Sequence, residues 1–327
     1  DRSGAARAAA GWTRIMTIWA MLLLWPVVTI IFYRKLRLPV ALLATVLGGY
    51  LLLPQAELID LPVLPRLDRV TIPVLMALIM TAIVLAKDDH GYQVLPGWIP
   101  RDPVVIGLLA MLFVGVFMTV ATNGDTLVYG DRVIEGAKLY DAFAICLDLL
   151  LIFLPFLLAR RVLASAEGQK VLLLAIALSA LCYTPLVLYE VRMSPQLHTT
   201  FYGFFPHSFA QHMRGGGFRP IVFLDHGLSL AIFLASSVLA AVGLFRIARH
   251  DARLQWACVV AWLMLVLVLC KSLGALLITI VLLPVALFFK PRMQLTFAAC
   301  VAGVVMIYPM LRAVELVPLN QLLAFVE

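Results

Sequence analysis

The chain has 327 residues, of which 63% are hydrophobic and 13% are charged, and its formal net charge is +7. Soluble domains contain roughly 45–50% apolar and about 25% charged residues, so this composition excludes an ordinary soluble protein and predicts a membrane protein. The basic residues lie mostly in short segments between apolar runs, which indicates membrane topology and lipid contact rather than nucleic-acid binding. The five cysteines lie within apolar runs and lack Cys-x-x-Cys spacing.

Ten apolar runs are long enough, or nearly so, to cross a bilayer, which takes about 20 residues. They cover residues 15–33, 38–53, 70–86, 103–121, 142–159, 171–189, 221–245, 254–270, 273–289 and 293–311. The chain is therefore predicted to be one all-α membrane domain over residues 1–327, a polytopic transmembrane helical bundle with about ten spans. A long loop at 190–220 separates the sixth and seventh runs, and we expect it to carry a short interfacial helix.

The distribution of lysine and arginine predicts the orientation of these spans. If the spans alternate, one side of the membrane collects Arg34, Lys35, Arg37, Lys87, Arg101, Arg160, Arg161, Lys170, Arg246, Arg249, Arg253, Lys290 and Arg292. Because basic loops stay in the cytoplasm, the loop at 190–220 is expected on the opposite face, outside the cytoplasm. The basic residues of the amino-terminal tail are the one exception to this pattern.

The loop at 190–220 combines basic, acidic and aromatic residues in a way that is unusual for a membrane hairpin. Glu190, Arg192, Arg214 and Arg219 flank or lie within it, and it also contains His198, His207, His212, Phe201, Tyr202, Phe204, Phe205 and Phe209. A guanidinium group can donate two parallel hydrogen bonds to two oxygens of one phosphate. The glycines at 215–217 allow backbone amides to approach an anion. The pattern suits a lipid-linked diphosphate. The alternative is an interfacial segment that contacts ordinary lipid.

Asp225 and His226 lie one turn inside the predicted seventh span. Such a pair could orient a substrate hydroxyl or relay a proton, or it could be a satisfied pair at a helix end. Asp148, inside the fifth span, is expected to face the bundle and pair with an arginine, the alternative being that it marks a polar cavity. The sequence has no His-Glu-x-x-His pair, Walker loop, Gly-x-Ser-x-Gly elbow or Cys/His metal spacing. It therefore predicts no metal ligand and no cofactor.

The run Arg-Pro-Ile-Val-Phe-Leu-Asp-His-Gly-Leu at 219–228 opens a span directly after the long loop. It resembles the Arg-x-x-Gly-x-Phe-x-(Asn/His)-(Pro/Gly) signature of the O-antigen ligase and O-antigen polymerase superfamily, with Val222 at the glycine position. The segments 189–198 and 205–211 look like the exopolysaccharide-polymerase branch of that superfamily. By motif, the resemblance covers about residues 189–230.

The resemblance implies a metal-independent, GT-C-like glycosyltransferase of the bacterial inner membrane. Such an enzyme moves a saccharide from a polyprenyl diphosphate carrier to a hydroxyl of a growing glycan or of a lipid acceptor. Arg219 matches the diphosphate-binding arginine of the family, and Arg214 is a candidate second contact. Glu190 or Arg192 would shape the acceptor side, and His226 is the candidate catalytic residue.

The catalytic histidine of the family lies in an outer loop after the tenth span, so this chain is expected to be weak or silent in catalysis. Two alternatives stay open at this point. The protein could be a non-catalytic membrane subunit of a larger complex, or it could transport a lipid-linked oligosaccharide. A transporter would need polar residues at the midplane of several spans, and only Asp148 clearly meets that requirement.

Overall fold

A computed structural model describes residues 2–55, 66–87, 92–130, 132–214 and 216–314, with the side chains at 2–15, 17, 132, 214 and 313 left out of the description. The helices are α1 (Arg2–Lys35), α2 (Leu38–Leu52), α3 (Thr71–Leu85), α4 (Pro103–Thr122), α5 (Leu139–Val162), α6 (Ala166–Met193), α7 (Leu197–Tyr202), α8 (Gly227–Ile247), α9 (His250–Leu269), α10 (Leu273–Phe288) and α11 (Pro291–Ala313). Two small antiparallel hairpins pair β1 (Leu127–Tyr129) with β2 (Arg132–Ile134) and β3 (Met213–Arg214) with β4 (Gly217–Phe218).

The predicted all-α helical membrane bundle is confirmed. Each of the ten apolar runs forms a helix, and α7 is the short helix expected in the loop. Seven of these helices are long and apolar enough to cross a membrane, whereas α2, α3 and α10 have only 15 or 16 residues. At about 1.5 Å per residue, 15 residues reach roughly 22 Å, which is less than the ~30 Å hydrocarbon core.

Helix α8 forms the centre of the bundle and packs against α6, α9 and α10. Small residues allow this close approach, because helices in lipid associate through backbone proximity and shape rather than through exclusion of water. Ala177 and Ala180 of α6 and Ala231 and Ala241 of α8 are all fully buried in the main hydrophobic cluster. The residues around the amino terminus of α8 are therefore attached to the main hydrophobic cluster of the molecule.

The helices bring two chemically different sets of residues to the two ends of the bundle. One end, here called the loop end, carries residues 194–226 together with the end of α2 and the start of α3, because Tyr202 donates to the carbonyl of Leu52. The other, here called the basic end, carries the cationic loops. There, Arg37 lies 3.8 Å from Glu167, and the guanidinium of Arg161 stacks 4.5 Å from the centre of the Trp98 ring.

We expect the loop end and the basic end to face opposite sides of the membrane. In a cysteine-free background, Ser208→Cys at the loop end should react with an impermeant maleimide added to spheroplasts, because this position is exposed. Ala164→Cys, exposed in the turn between α5 and α6 at the basic end, should react only after the membrane is broken. The reverse labelling pattern would show that the orientation predicted from the basic residues is wrong.

Candidate functional site

The buried carboxylate of Glu190 organises the loop end. It lies near the end of α6, is fully buried, and accepts three backbone N–H groups. Leu197 donates to one oxygen at 2.9 Å, and Ile221 and Val222 donate to the other at 2.8 and 2.6 Å. A carboxylate held by several amides is a strong, charge-assisted anchor. The structure thus gives Glu190 backbone partners on both sides of the loop, while its predicted contact with an acceptor stays a prediction.

The segment before α8 is irregular, and this corrects the predicted start of the seventh span at residue 221. Val222 has a φ of 56°, in the left-handed region that a β-branched residue rarely adopts. Its N–H binds Glu190 instead of a helical carbonyl, and α8 begins only at Gly227. Asp225 and His226 consequently precede the helix. Val222 occupies the glycine position of the signature, and its backbone conformation is the one that favours glycine.

Arg219 is buried beneath the loop and links three elements. Its N–H donates to the carbonyl of His212, and its side chain donates to the hydroxyl of Ser272 in the turn between α9 and α10. A Cβ added at Gly227 would lie 2.7–2.8 Å from the Arg219 side chain, so the first residue of α8 must be a glycine for the arginine to pass. Only 3% of Arg219 is exposed. It therefore contributes positive charge from inside the loop end, and direct contact with a diphosphate stays a prediction.

A second buried arginine holds the end of the loop. Arg69, just before α3, forms an ion pair with Asp225 at 3.2 Å and donates to the carbonyl of Phe223. Its guanidinium also lies 5.3 Å from the centre of the Tyr50 ring. Burial opposes ionisation of Asp225, but hydrogen bonds from Ser229 and Arg69 outweigh it and lower the pKa of this carboxyl. The ionised carboxylate of Asp225 thus holds the loop in place through Arg69. These contacts agree with the alternative of a satisfied pair at a helix end.

Three histidines, His207, His212 and His226, meet at the loop end and are called the histidine cluster below. The ligating atoms that they offer all lie within 4.8 Å of one another. The His226 ring accepts the N–H of Leu228 through Nδ1 and caps α8, and the His207 ring accepts the N–H of Ser208 in the same way. The three residues differ in burial: His207 is exposed, His226 is half-buried and His212 is fully buried.

The environment of His212 differs from that of the other two rings. Burial, together with the neighbouring His226, lowers the pKa of His212 from 6.5 to about 4. His212 is therefore neutral at physiological pH. A neutral imidazole has one ring nitrogen with a free lone pair, which can accept a proton or bind a metal ion.

The other predicted residues lie in varied surroundings. Arg192 is exposed on the last turn of α6, and Arg214 belongs to strand β3, although its side chain lies outside the described part of the structure. His198 is fully buried, and its Nδ1 lies 2.8 Å from the carbonyl oxygen of Phe204. Asp148 is exposed on α5, so the expectation that it faces the bundle is wrong, and it forms no ion pair among the described residues.

Sequence reasoning did not single out several residues that complete this site. Arg69 lies 156 positions from its partner Asp225, and Ser272 lies 53 positions from Arg219. His207 and His212 were noted as loop residues, but their spacing to His226 fits no compact metal or catalytic motif. Of these residues, only Arg69 could have been found from the sequence, because an arginine next to an apolar run calls for a partner.

The comparisons with known proteins give no relative for this chain: no family model, no curated protein and no solved structure matches it. The resemblance to the O-antigen ligase and polymerase superfamily therefore rests on the quoted residues alone.

Loss of the Glu190 carboxylate should loosen the loop. Glu190→Gln replaces an acceptor oxygen by an NH2 group that faces backbone N–H donors, so we expect the free energy of unfolding to fall by about 1.5–3 kcal/mol. Thermal unfolding in detergent and limited proteolysis between residues 194 and 220 would measure this change. Arg192→Gln, at an exposed position two residues further along α6, is the matched control. Equal behaviour of the two variants would contradict the anchoring role.

The left-handed conformation of Val222 predicts that glycine and alanine substitutions here have the opposite order of stability from the order within a helix. Val222→Gly should be at least as stable as Val222→Ala, because glycine removes a conformational cost of about 1–3 kcal/mol that alanine keeps. At Val238, which is buried within α8, glycine should instead be less stable than alanine by about 1 kcal/mol. Thermal unfolding of the four variants tests both orders. If alanine is the more stable substitution at both positions, residue 222 does not carry backbone strain.

Proposed function

We propose that this multi-pass membrane protein acts in bacterial glycan biosynthesis at the inner membrane. It would transfer or polymerise a saccharide from a polyprenyl diphosphate carrier onto a glycan or lipid acceptor at its loop end, on the periplasmic face. One observation carries the proposal: an apolar groove on the bundle surface leads to the end at which the histidine cluster and Arg219 lie. A long hydrocarbon tail with an anionic head group matches that combination of surfaces.

The groove runs between α2 and α6 and has a volume of about 330 Å³. Along α2 it extends from Val40 to Leu52, which is roughly 18 Å at ~1.5 Å per residue. Val40, Leu52 and Cys182 on its walls are exposed, so the groove opens towards lipid. An isoprenoid tail could enter it sideways from the bilayer without crossing a polar barrier.

Tyr183 connects the groove with the loop. It lies on the groove wall, and its hydroxyl donates to the carbonyl of Leu51 at 2.8 Å and accepts the N–H of Phe223. Phe223 is three residues from His226, and its carbonyl accepts a hydrogen bond from Arg69. The end of the groove at Tyr183 therefore lies next to the segment that carries the ionisable groups.

The polar groups at the loop end suit the head group of such a lipid. Transfer of a saccharide leaves a diphosphate whose charge rises in the transition state, and positive charge that is already in place stabilises it. Arg219 and the amino terminus of α8 supply that charge. The histidine cluster lies at the same end and offers a polar site for the acceptor hydroxyl.

Filling the groove should stop glycan output. Ala175→Trp places an indole in the middle of the groove wall, so the lipid tail should be excluded and the carrier-linked saccharide should accumulate. Cells that lack the native gene would be complemented with each variant, and the glycan would be separated by size on a gel. Ala299→Trp, exposed on α11 and away from the groove, should support normal output. Normal output from Ala175→Trp at the wild-type protein level would overturn the proposed function.

A further inference from the structure

We propose that His207, His212 and His226 bind one late first-row divalent metal ion, with Zn²⁺ the best match. This inference does not rest on the proposed function, because it concerns the three imidazoles alone. The spacing of these histidines in the sequence follows no known compact pattern, so no metal ligand was predicted. The fold nevertheless brings one ligating atom from each to within 4.8 Å of the others.

The spacing of the rings matches the geometry of a tetrahedral ion. Three imidazoles around Zn²⁺, with Zn–N distances of about 2.0–2.1 Å, have ring centres roughly 5.2 Å apart. The His207 and His226 rings are 4.9 Å apart, and the His212 and His226 rings are 5.4 Å apart. The third pair, His207 and His212, is wider at 6.3 Å. A small rotation of the exposed His207 side chain would close this gap.

His212 supplies the independent observation that points to a ligand. It is fully buried, and neither of its ring nitrogens has a hydrogen-bond partner among the described residues. Buried polar atoms in proteins are nearly always satisfied by protein, water or an ion. A metal ion between the three rings would give one of the two His212 nitrogens a partner.

The hydrogen bonds of the other two rings limit how an ion can bind. A ring that binds a metal through one nitrogen carries its proton on the other. The Nδ1 atoms of His207 and His226 now accept backbone N–H groups, so these contacts must give way when Nε2 binds the ion. Both contacts are exposed to solvent, and water can take over the two N–H groups. Binding of the ion therefore breaks the exposed hydrogen bonds from the N–H groups of Ser208 and Leu228 and gives the buried imidazole of His212 a partner.

The ligand set selects the class of metal. Imidazole nitrogens suit zinc, copper, nickel and cobalt, whereas Mg²⁺ and Ca²⁺ prefer oxygen ligands. Neutral histidines leave the ion its full charge, and three of them leave a fourth position for water or an anionic oxygen. Near the cluster, Asp225 forms an ion pair with Arg69, while Arg219 and Lys271 add positive charge, so the three imidazoles must bind the ion without a neighbouring anionic ligand.

The test measures metal binding by the purified full-length protein in detergent, with no substrate present. We expect one Zn²⁺ per chain in a titration, and Co²⁺ should give the intense visible absorption of four-coordinate cobalt. His207→Ala and His226→Ala should each weaken binding by at least tenfold. His250→Ala, an exposed histidine at the basic end, should leave binding unchanged.

His207 is exposed, so its substitution keeps the fold, and an unchanged thermal unfolding midpoint without metal would verify this. Zn²⁺ should raise that midpoint in the wild type and in His250→Ala, but not in a variant that lacks all three cluster histidines. The inference is wrong if the His207 and His226 variants bind Zn²⁺ as tightly as the wild type. It is equally wrong if the wild type binds no Zn²⁺ at all.

Discussion

The buried carboxylate of Glu190 is the interaction on which the loop end depends. Near the end of a membrane span, a chain that leaves the helix exposes N–H groups that cannot stay unsatisfied in a water-poor setting. Glu190 takes three of them, from both sides of the loop. In doing so it holds Val222 in a conformation that delays the start of α8 by about one and a half turns. Asp225 and His226 thus become parts of a polar surface instead of a helix flank.

Two arginines then fix that surface to the rest of the bundle. Arg69 ties it to the start of α3 through Asp225, and Arg219 ties it to the turn before α10 through Ser272. Both guanidiniums are nearly fully buried, so each depends on its partners for the energy of burial. The histidine cluster is linked to both, because Arg219 donates to the carbonyl of His212 and Asp225 directly precedes His226.

The sequence predicted the bundle well, because ten long apolar runs separated by short polar segments leave little choice other than membrane helices. It singled out His226 and Arg219, because ionisable groups beside a span need a purpose or a partner, and both lie at the loop end, while their roles stay predictions. The histidine cluster was not predictable, since an irregular loop carries no periodicity that would show which of its side chains meet. The late start of α8 was missed for a related reason: the apolar residues from 221 to 224 are buried as a loop, and hydropathy cannot distinguish that from a helix.

The ion pair between Arg69 and Asp225 also bears on how the protein is made. Its members are 156 positions apart in the chain, and at ~5–20 residues per second synthesis of the second follows the first by roughly 8–30 s. During that interval α3 must wait in the membrane with an unmatched arginine at its end. Insertion machinery or lipid phosphate has to shield this cation until α8 arrives. The loop end therefore cannot complete this ion pair until the start of α8 has been synthesised, and defects in biogenesis should appear there first.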